Sequence, residues 1–338
     1  MTIQTLLREV ADAPFTDPRI VRLADKGRID AVQLGSMREG RAVFVVFDGP
    51  SPTPATVVKV DHQPRYQPRL RAEHAALVEL RDRDALRGSV PEPLGLSETP
   101  RRVVLAQSGL PGTPLNLLMR RRRRVAHTYA ETDHRLVLDW LARLHLPAAS
   151  ESVVLRAAAV VEAVTRGMDS VPDGSRFARE VSAMGEAFGD IRLPLLPGHG
   201  DLGTTNVVLD GRAVGVYDWE GGSGLRPPLP DLVLFLNHYA RALPTSAYRL
   251  PARLDAFGAA FLDDGWLGRL TAGSYFDYLR RLELPVETAE WLFIATLAEL
   301  AGASAAIAHA QATTRFWTSA LHAYARERSQ APIRAASG

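Results

Sequence analysis

The chain has 338 residues and a formal net charge of +2, with 46% hydrophobic and 23% charged residues, the balance of a globular protein large enough for two domains or lobes. It has no cysteine, which excludes disulfides, thiolate metal sites and a cysteine nucleophile. The near-balanced charge gives no general pull toward nucleic acid or an anionic membrane, and the first residues, with Arg8 and Glu9 among them, lack the unbroken apolar core of a signal peptide.

Residues 3–11 read as a short helix, and Asp17-Pro18 as a turn or helix start. Ile29–Leu34 reads as a strand ending at Gly35. A loop, Ser36–Gly40, leads to the strand Arg41–Phe47, and breaks at Asp48-Gly49-Pro50 and Ser51–Pro54 precede a third strand, Ala55–Val60. Three such strands predict an antiparallel meander. Glycines in the 35–40 loop are the commonest way to make a hairpin turn; they also let backbone N–H groups approach a phosphate, a weak signal on its own.

Only Lys26 and Lys59 among the 40 basic residues are lysine. Lys59 alternates with Val58 and Val60, so it lies either on a solvent face or buried with a partner. Residues 69–82 carry apolar side chains at 72, 76, 77 and 80, a helical spacing, and offer Glu73 and Glu79 as partners. Residues 88–96 read as a turn entering a strand, and 103–105 as that strand or its successor. The Gly/Pro-dense 107–114 resembles a linker, and the lobe boundary is placed there.

Five consecutive arginines, Arg120–Arg124, read as a solvated helix face; without interleaved aromatics they do not suggest a base-stacking surface. Residues 134–146 predict an amphipathic helix, with His145 on its apolar face as a core residue. Residues 152–190 read as helical with a break near Pro172-Asp173-Gly174. A helix over 231–243 takes Asp231 as its N-cap. Further helices are expected around 257–262, 273–282, 287–309 and 312–327. The most apolar run, 291–309, contains Glu299 and is expected to be a buried helix rather than a membrane span.

The most informative stretch is 197–236. Val207–Leu209 and Val214–Val216 flank a turn at Asp210-Gly211, which predicts a hairpin. The hairpin brings its outer ends together, so Asp201, Asn206 and Asp218 converge. Two carboxylates and an amide are hard oxygen ligands and a possible base, a set suited to magnesium and phosphate chemistry. The same residue types also serve as turn formers and caps. His199 and Asp201 lack further ligands at zinc-site spacing, and no nucleophile elbow for Ser/His/Asp hydrolysis is present.

In order, TVVKV, RAEHAALVEL, PEPLG, LPGTPL, LARLHL, HGDLGTTNVVLDG, VGVYDWE and PDLVLFL resemble the aminoglycoside phosphotransferase and choline-kinase-like family of small-molecule kinases. The resemblance covers most of the chain. It implies an α+β, protein-kinase-like bilobal fold, with a nucleotide-binding N-lobe of small antiparallel sheet over 1–107 and a larger, mainly helical C-lobe over 108–338. It implies that Asp201 orients the substrate hydroxyl and takes its proton. Asn206 and Asp218 would hold Mg2+ on the phosphates of ATP or GTP. Lys59, held by Glu73, would contact the α/β-phosphates. The loop with Gly35, Ser36 and Gly40 would cover the nucleotide, and the Leu105–Gly109 segment, including Gln107, would meet its base. His199 and Asp231 would support the catalytic loop. The loop departs from many relatives in having Gly203-Thr204-Thr205 where they have histidine and Pro-Gly.

The expected reaction is transfer of the γ-phosphate to a hydroxyl of a small molecule. The acceptor is an aminoglycoside or other antibiotic, a sugar, a nucleoside or an amino alcohol. After residue 222 there is no surplus of acids to draw a polycation, and Glu220, Asp263 and Asp264 are the acidic candidates for contacting substrate. The alternatives are a kinase-like nucleotide binder without catalysis and, less favoured, a nucleic-acid binder using the arginine run. The expected protein is cytoplasmic, without nucleic-acid or membrane partners, and a monomer or homodimer.

Overall fold

The computed structural model describes residues 2–330 apart from 15, 27–28, 35–39, 65, 123–126, 147–150, 169–173, 223, 244–251 and 306–310. The chain divides into two compact units, one made of Met1–Leu118 with Pro197–Gly224 and the other of Met119–Leu196 with Leu225–Gly338. The first unit is therefore discontinuous, and the hairpin after residue 197 belongs to it.

The first unit begins with two short helices, α1 (Ile3–Ala11) and α2 (Pro18–Ala24). The Thr2 side chain accepts from Thr5 N, and Asp17 accepts from Arg19 N with Pro18 at the first helical position, so each helix starts at a side-chain cap. A five-stranded sheet follows, in the order β1-β2-β3-β5-β4 and antiparallel throughout. Its strands are β1 (Asp30–Leu34), β2 (Arg41–Phe47), β3 (Thr56–Asp61), β4 (Pro93–Thr99) and β5 (Arg102–Ser108). Helix α3 (Gln67–Arg81) separates β3 from β4.

Alternation assigns the two faces of this sheet. Ala42, Phe44, Val46, Val58, Val60, Val104 and Ala106 form one core with Leu6, Leu7 and Val10 of α1 and Ile20 and Leu23 of α2. The opposite face carries Lys59, whose cross-strand neighbours are Val43 and Leu105, and Asp61, whose neighbours are Arg41 and Val103. Leu70 of α3 packs with Val103 and Leu105 on that face. The strand that holds Lys59 is thus buried on both sides, and its lysine points to the face covered by α3.

A second small sheet, β10-β9-β6, completes the unit. Its strands are β6 (Thr113–Pro114), β9 (Val207–Asp210) and β10 (Ala213–Val216). The expected hairpin pairs Val207 with Val216 and Asp210 with Ala213. Gly211 opens its two-residue turn at φ +59°, the left-handed region such turns require. Val216 N donates to Ser89 O at 2.8 Å, which ties the hairpin to the loop after α3.

The second unit holds α5 (His127–His145), α6 (Ala157–Met168), α7 (Gly174–Phe188), α8 (Leu229–Ala242), α9 (Arg253–Phe261), α10 (Trp266–Arg281), α11 (Ala289–Ala305) and α12 (Gln311–Gln330), with α4 (Leu115–Arg121) crossing from the first. A three-stranded sheet, β11-β8-β7, joins them, formed by β7 (Glu151–Leu155), β8 (Ile191–Pro197) and β11 (Leu225–Arg226). The sequence reading had 152 onward as helix and passed over β8. ESVVL is too short for its alternation to stand out, and Pro194 argues against a strand. Among the described residues no helix is long and apolar enough to cross a membrane.

The arginine run is partly accounted for within this unit. Arg122 forms an ion pair with the buried Asp133, which also accepts from Tyr239 Oη at 2.8 Å, and its guanidinium lies 4.9 Å from the Tyr129 ring centroid. Arg120 and Arg121 are exposed, and Arg123 and Arg124 lie outside the described residues. His145 is buried and hydrogen-bonded to Tyr278 Oη, as a core histidine should be.

Candidate active site

Three segments of the first unit meet at Lys59. Its ammonium donates to both Glu73 oxygens, at 2.7 and 2.8 Å, and to Asp218 Oδ1 at 2.5 Å. Lys59 is 4% exposed and Glu73 is fully buried. Burial disfavours the ammonium, but Glu73 and Asp218 together outweigh it and hold the Lys59 pKa above the ordinary lysine value. Burial lifts the Glu73 carboxyl above its ordinary range, and Lys59 offsets only part of that. For Asp218 the ammonium more than offsets burial, so its carboxyl stays below the ordinary range.

Asp218 has φ +69° and ψ +58°, a left-handed conformation that aspartate tolerates better than most side chains. It lies two residues past β10, and the helical turn Trp219–Gly221 follows it. Trp219 is fully buried; its indole N–H donates to Val216 O at 3.0 Å and its backbone N–H to Glu73 Oε1 at 3.3 Å. One carboxylate of α3 thereby fixes both the β3 lysine and the segment that carries Asp218.

The loop between β8 and β9 is organised by His199 and Asn206. His199 Nε2 donates to Tyr217 O at 3.0 Å, and its Nδ1 accepts from Asp201 N at 3.3 Å. A carbonyl only accepts, so the proton sits on Nε2. The ring stands edge-on to Trp219, with centroids 4.8 Å apart. Asn206 is buried, and its amide nitrogen donates to Asp201 O at 2.9 Å and lies 3.4 Å from Asp201 Oδ2. Asp201 itself is exposed. Tyr217 N donates to Asn206 O at 3.0 Å, extending the hairpin ladder, so that Asn206 and Asp218 flank one hairpin mouth.

With its nitrogen committed to Asp201, Asn206 has its amide oxygen left to offer a cation. Among the described residues no three His, Cys, Asp or Glu side chains cluster as a metal site. The donor set of one carboxylate and one amide oxygen fits magnesium, which keeps waters and takes phosphate oxygens, better than a metal needing a full protein cage.

Of the other expected residues, Leu105 and Gln107 are buried on β5, on the Lys59 face, opposite Lys59 and Val57 respectively. Gln107 O already accepts from Thr56 Oγ1 at 2.8 Å. Gly40 has φ +85°, a conformation that favours glycine, and a Cβ there would displace the Gln63 side chain, whose Cγ would lie 2.4 Å away. Gly35 and Ser36 lie outside the described residues.

Glu220 is not a free acid. Its Oε2 lies 2.6 Å from Arg41 Nη2 and its Oε1 3.4 Å from Arg69 Nη1. Asp263 and Asp264 are exposed at the corner between α9 and α10, in the second unit. Asp231 is buried at the third position of α8 rather than at its cap, which is Pro228. A carboxylate there still faces the positive end of the helix.

The sequence reading missed Arg41, Asp61 and Arg69. Alternation could have found the first two. Asp61 is two residues from Lys59 and must share its face, and any antiparallel partner opposite it joins them.

Residues 30–270 match the model of the phosphotransferase enzyme family, well over half of the chain. The chain belongs to that family. This phosphotransferase has the kinase-like α+β fold, shared with the GDP complex of a mutant aminoglycoside 2'-phosphotransferase-IIIa at a TM-score of 0.53 and 13% identity, over 93% of this chain and 96% of that one. The phosphotransferase is also similar to the macrolide 2'-phosphotransferase MphH of Brachybacterium faecium, at TM-score 0.49 and 15% identity over 87% and 91% of the two chains. A third similar structure is APH(3'')-Id of Streptomyces rimosus with ADP and streptomycin, at TM-score 0.45 and 19% identity over 82% and 95%. No curated protein sequence matches the phosphotransferase.

Proposed function

We propose that the protein transfers the γ-phosphate of ATP or GTP to a hydroxyl of a small molecule, with magnesium. The observation that carries the reading is Lys59, buried between Glu73 and Asp218. A lysine fixed at this point by two carboxylates is a cation prepared for the α- and β-phosphates of a nucleotide. Phosphoryl transfer asks the protein mainly for positioning and charge neutralisation.

In this reading Asp201, exposed and steadied by His199 and Asn206, accepts the proton of the acceptor hydroxyl as its oxygen attacks phosphorus and the bond to the leaving diphosphate breaks. Asn206 and Asp218 would hold magnesium, which when bound neutralises charge on the phosphates. The 35–40 loop would cover the nucleotide, and the β5 segment from Leu105 to Gln107 would contact its base. His199 and Asp231 are supporting residues. The sheet-bearing lobe, 1–107, binds nucleotide and the helical lobe, 108–338, the acceptor. Glu220 is drawn off by its arginines, which leaves Asp263 and Asp264 as the acidic candidates for substrate contact. The acceptor is a hydroxylated metabolite or an antibiotic, the latter implying a role in resistance, and the setting is the cytoplasm.

The test is a nucleotide-consumption screen with magnesium over hydroxylated metabolites and antibiotics, run beside Asp201→Ala, Asn206→Ala and Asp218→Ala. Each variant should remain folded with transfer reduced by about 10²-fold or more. Full activity in Asp218→Ala would sink the magnesium assignment. Nucleotide binding without turnover on any acceptor would favour the non-catalytic reading.

A further inference from the structure

Arg41 stands on the Lys59 face of the sheet, directly opposite Asp61 and one cross-strand step from the Val43–Lys59 pair. Its side chain is 26% exposed, and its guanidinium lies within 4.0 Å of three carboxylates. Nη2 lies 2.6 Å from Glu220 Oε2 and 4.0 Å from Asp218 Oδ1, and Nε lies 3.6 Å from Asp61 Oδ1. Lys59 reaches the same Asp218 oxygen at 2.5 Å. Two cations from adjacent strands therefore converge on one oxygen atom, beside the hairpin mouth.

We propose that Arg41 is a second polyphosphate-binding cation, acting beside Lys59 and held in place for that role by Asp61 and Glu220. The proposal rests on the phosphotransferase reading and names a residue that reading does not use. Glu220 is then a resting partner for Arg41 and not a substrate ligand.

Three features favour this over a purely structural clamp. Asp61 is fully buried, yet neither of its oxygens has a hydrogen-bond partner among the described residues. It faces Arg41 as a charge across a gap wider than a hydrogen bond, so the guanidinium is attracted on that side without being locked. Glu220 keeps a second cation, Arg69 at 3.4 Å, so release of Arg41 to a phosphate does not strand it. The planar fork of arginine also matches two phosphate oxygens at once, which a lysine cannot do.

The experiment is calorimetric titration of the full chain with magnesium and the tri- and monophosphate of whichever nucleotide the wild type binds, using Arg41→Gln, Arg41→Lys and Glu220→Gln. Melting curves check that each variant is folded. Arg41→Gln should weaken triphosphate binding by about tenfold or more and leave the monophosphate unchanged within about twofold. Arg41→Lys should recover part of the loss. Glu220→Gln should bind triphosphate as tightly as wild type or tighter, because it frees the guanidinium and removes a like charge. The proposal is overturned if Arg41→Gln binds triphosphate like wild type, if it loses tri- and monophosphate alike, or if Arg41→Gln and Glu220→Gln weaken triphosphate binding equally. A wild type that binds neither nucleotide overturns the underlying reading and this one with it, whereas a wild type that binds triphosphate no more tightly than Arg41→Gln overturns Arg41 alone.

Discussion

Removing Lys59 would leave Glu73 buried without its cation. Lys59→Met should cost about 3 kcal/mol in urea denaturation, the price of an uncompensated buried charge. Lys59→Met combined with Glu73→Leu should regain most of that stability while phosphoryl transfer stays lost, which separates the structural from the chemical role of the pair. Asp61 gives a pH signature. Burial, opposed by Arg41 and reinforced by Glu220, raises its pKa from 3.8 to about 6. The folded state therefore holds the proton longer than the unfolded chain, and ionising Asp61 costs stability as pH rises from about 4 to about 6. Asp61→Asn should be more stable than wild type near neutral pH, on the order of 2 kcal/mol, and the gain should vanish below about pH 4. Equal stability at neutral pH in denaturant melts would contradict this. Lys59 was legible in the sequence because lysine is so rare in this chain. The arginine partners of Glu220, a substrate candidate by sequence, were not legible, because Arg69 is 151 positions away and in so arginine-rich a chain no single guanidinium stands out.

Among elements, the hairpin of β9 and β10 could be read from sequence. Its apolar runs are cleanly bounded by turn residues, and it forms as expected. The partner strand β6 could not, since Thr113–Pro114 is two residues long and exists only because Gly112 lets the chain approach. Gly112 has φ +110°, and a Cβ there would lie 2.5 Å from Leu209 O of β9. Gly112→Ala should therefore cost about 2 kcal/mol or more in a thermal melt, through backbone strain plus the clash. An alanine variant melting with wild type would mean the approach is relaxed in solution. The meander was legible too, but the helices over its outer face were only half so. The sequence predicts α1 as a helix and Asp17-Pro18 only as a turn or helix start, and amphipathicity alone does not say which sheet face the two helices cover.

At the scale of the molecule, the order of short motifs was enough to place the chain in its family, because each motif reports a backbone need that composition cannot hide. What was not legible is how the compact units interleave, since a linker-like stretch such as 107–114 marks a loop whether or not a unit ends there. Binding a nucleotide to the folded state alone must stabilise it. The protein should show a higher melting temperature with magnesium and ATP or GTP, equivalent to about 2.7 kcal/mol when the ligand is a hundred times its dissociation constant. Chelation of magnesium or Asp218→Asn should remove most of the shift, and a shift indifferent to both would count against the assigned ligands.

The discontinuity of the first unit also sets a timetable. Residues 119–196 of the other unit must be made before the hairpin exists, roughly 80 residues that take a ribosome on the order of 4–16 s. Through that interval a nascent chain has the Lys59 sheet but neither Trp219 to fill its place nor Asp218 to meet the ammonium. Chains stalled or truncated before residue 197 carry a strand lysine and a helix glutamate without the Asp218 carboxylate that completes their cluster. A ligand that needs Asp218 can stabilise only chains that have passed this point, so translation is committed to most of the protein before such a ligand can help it fold.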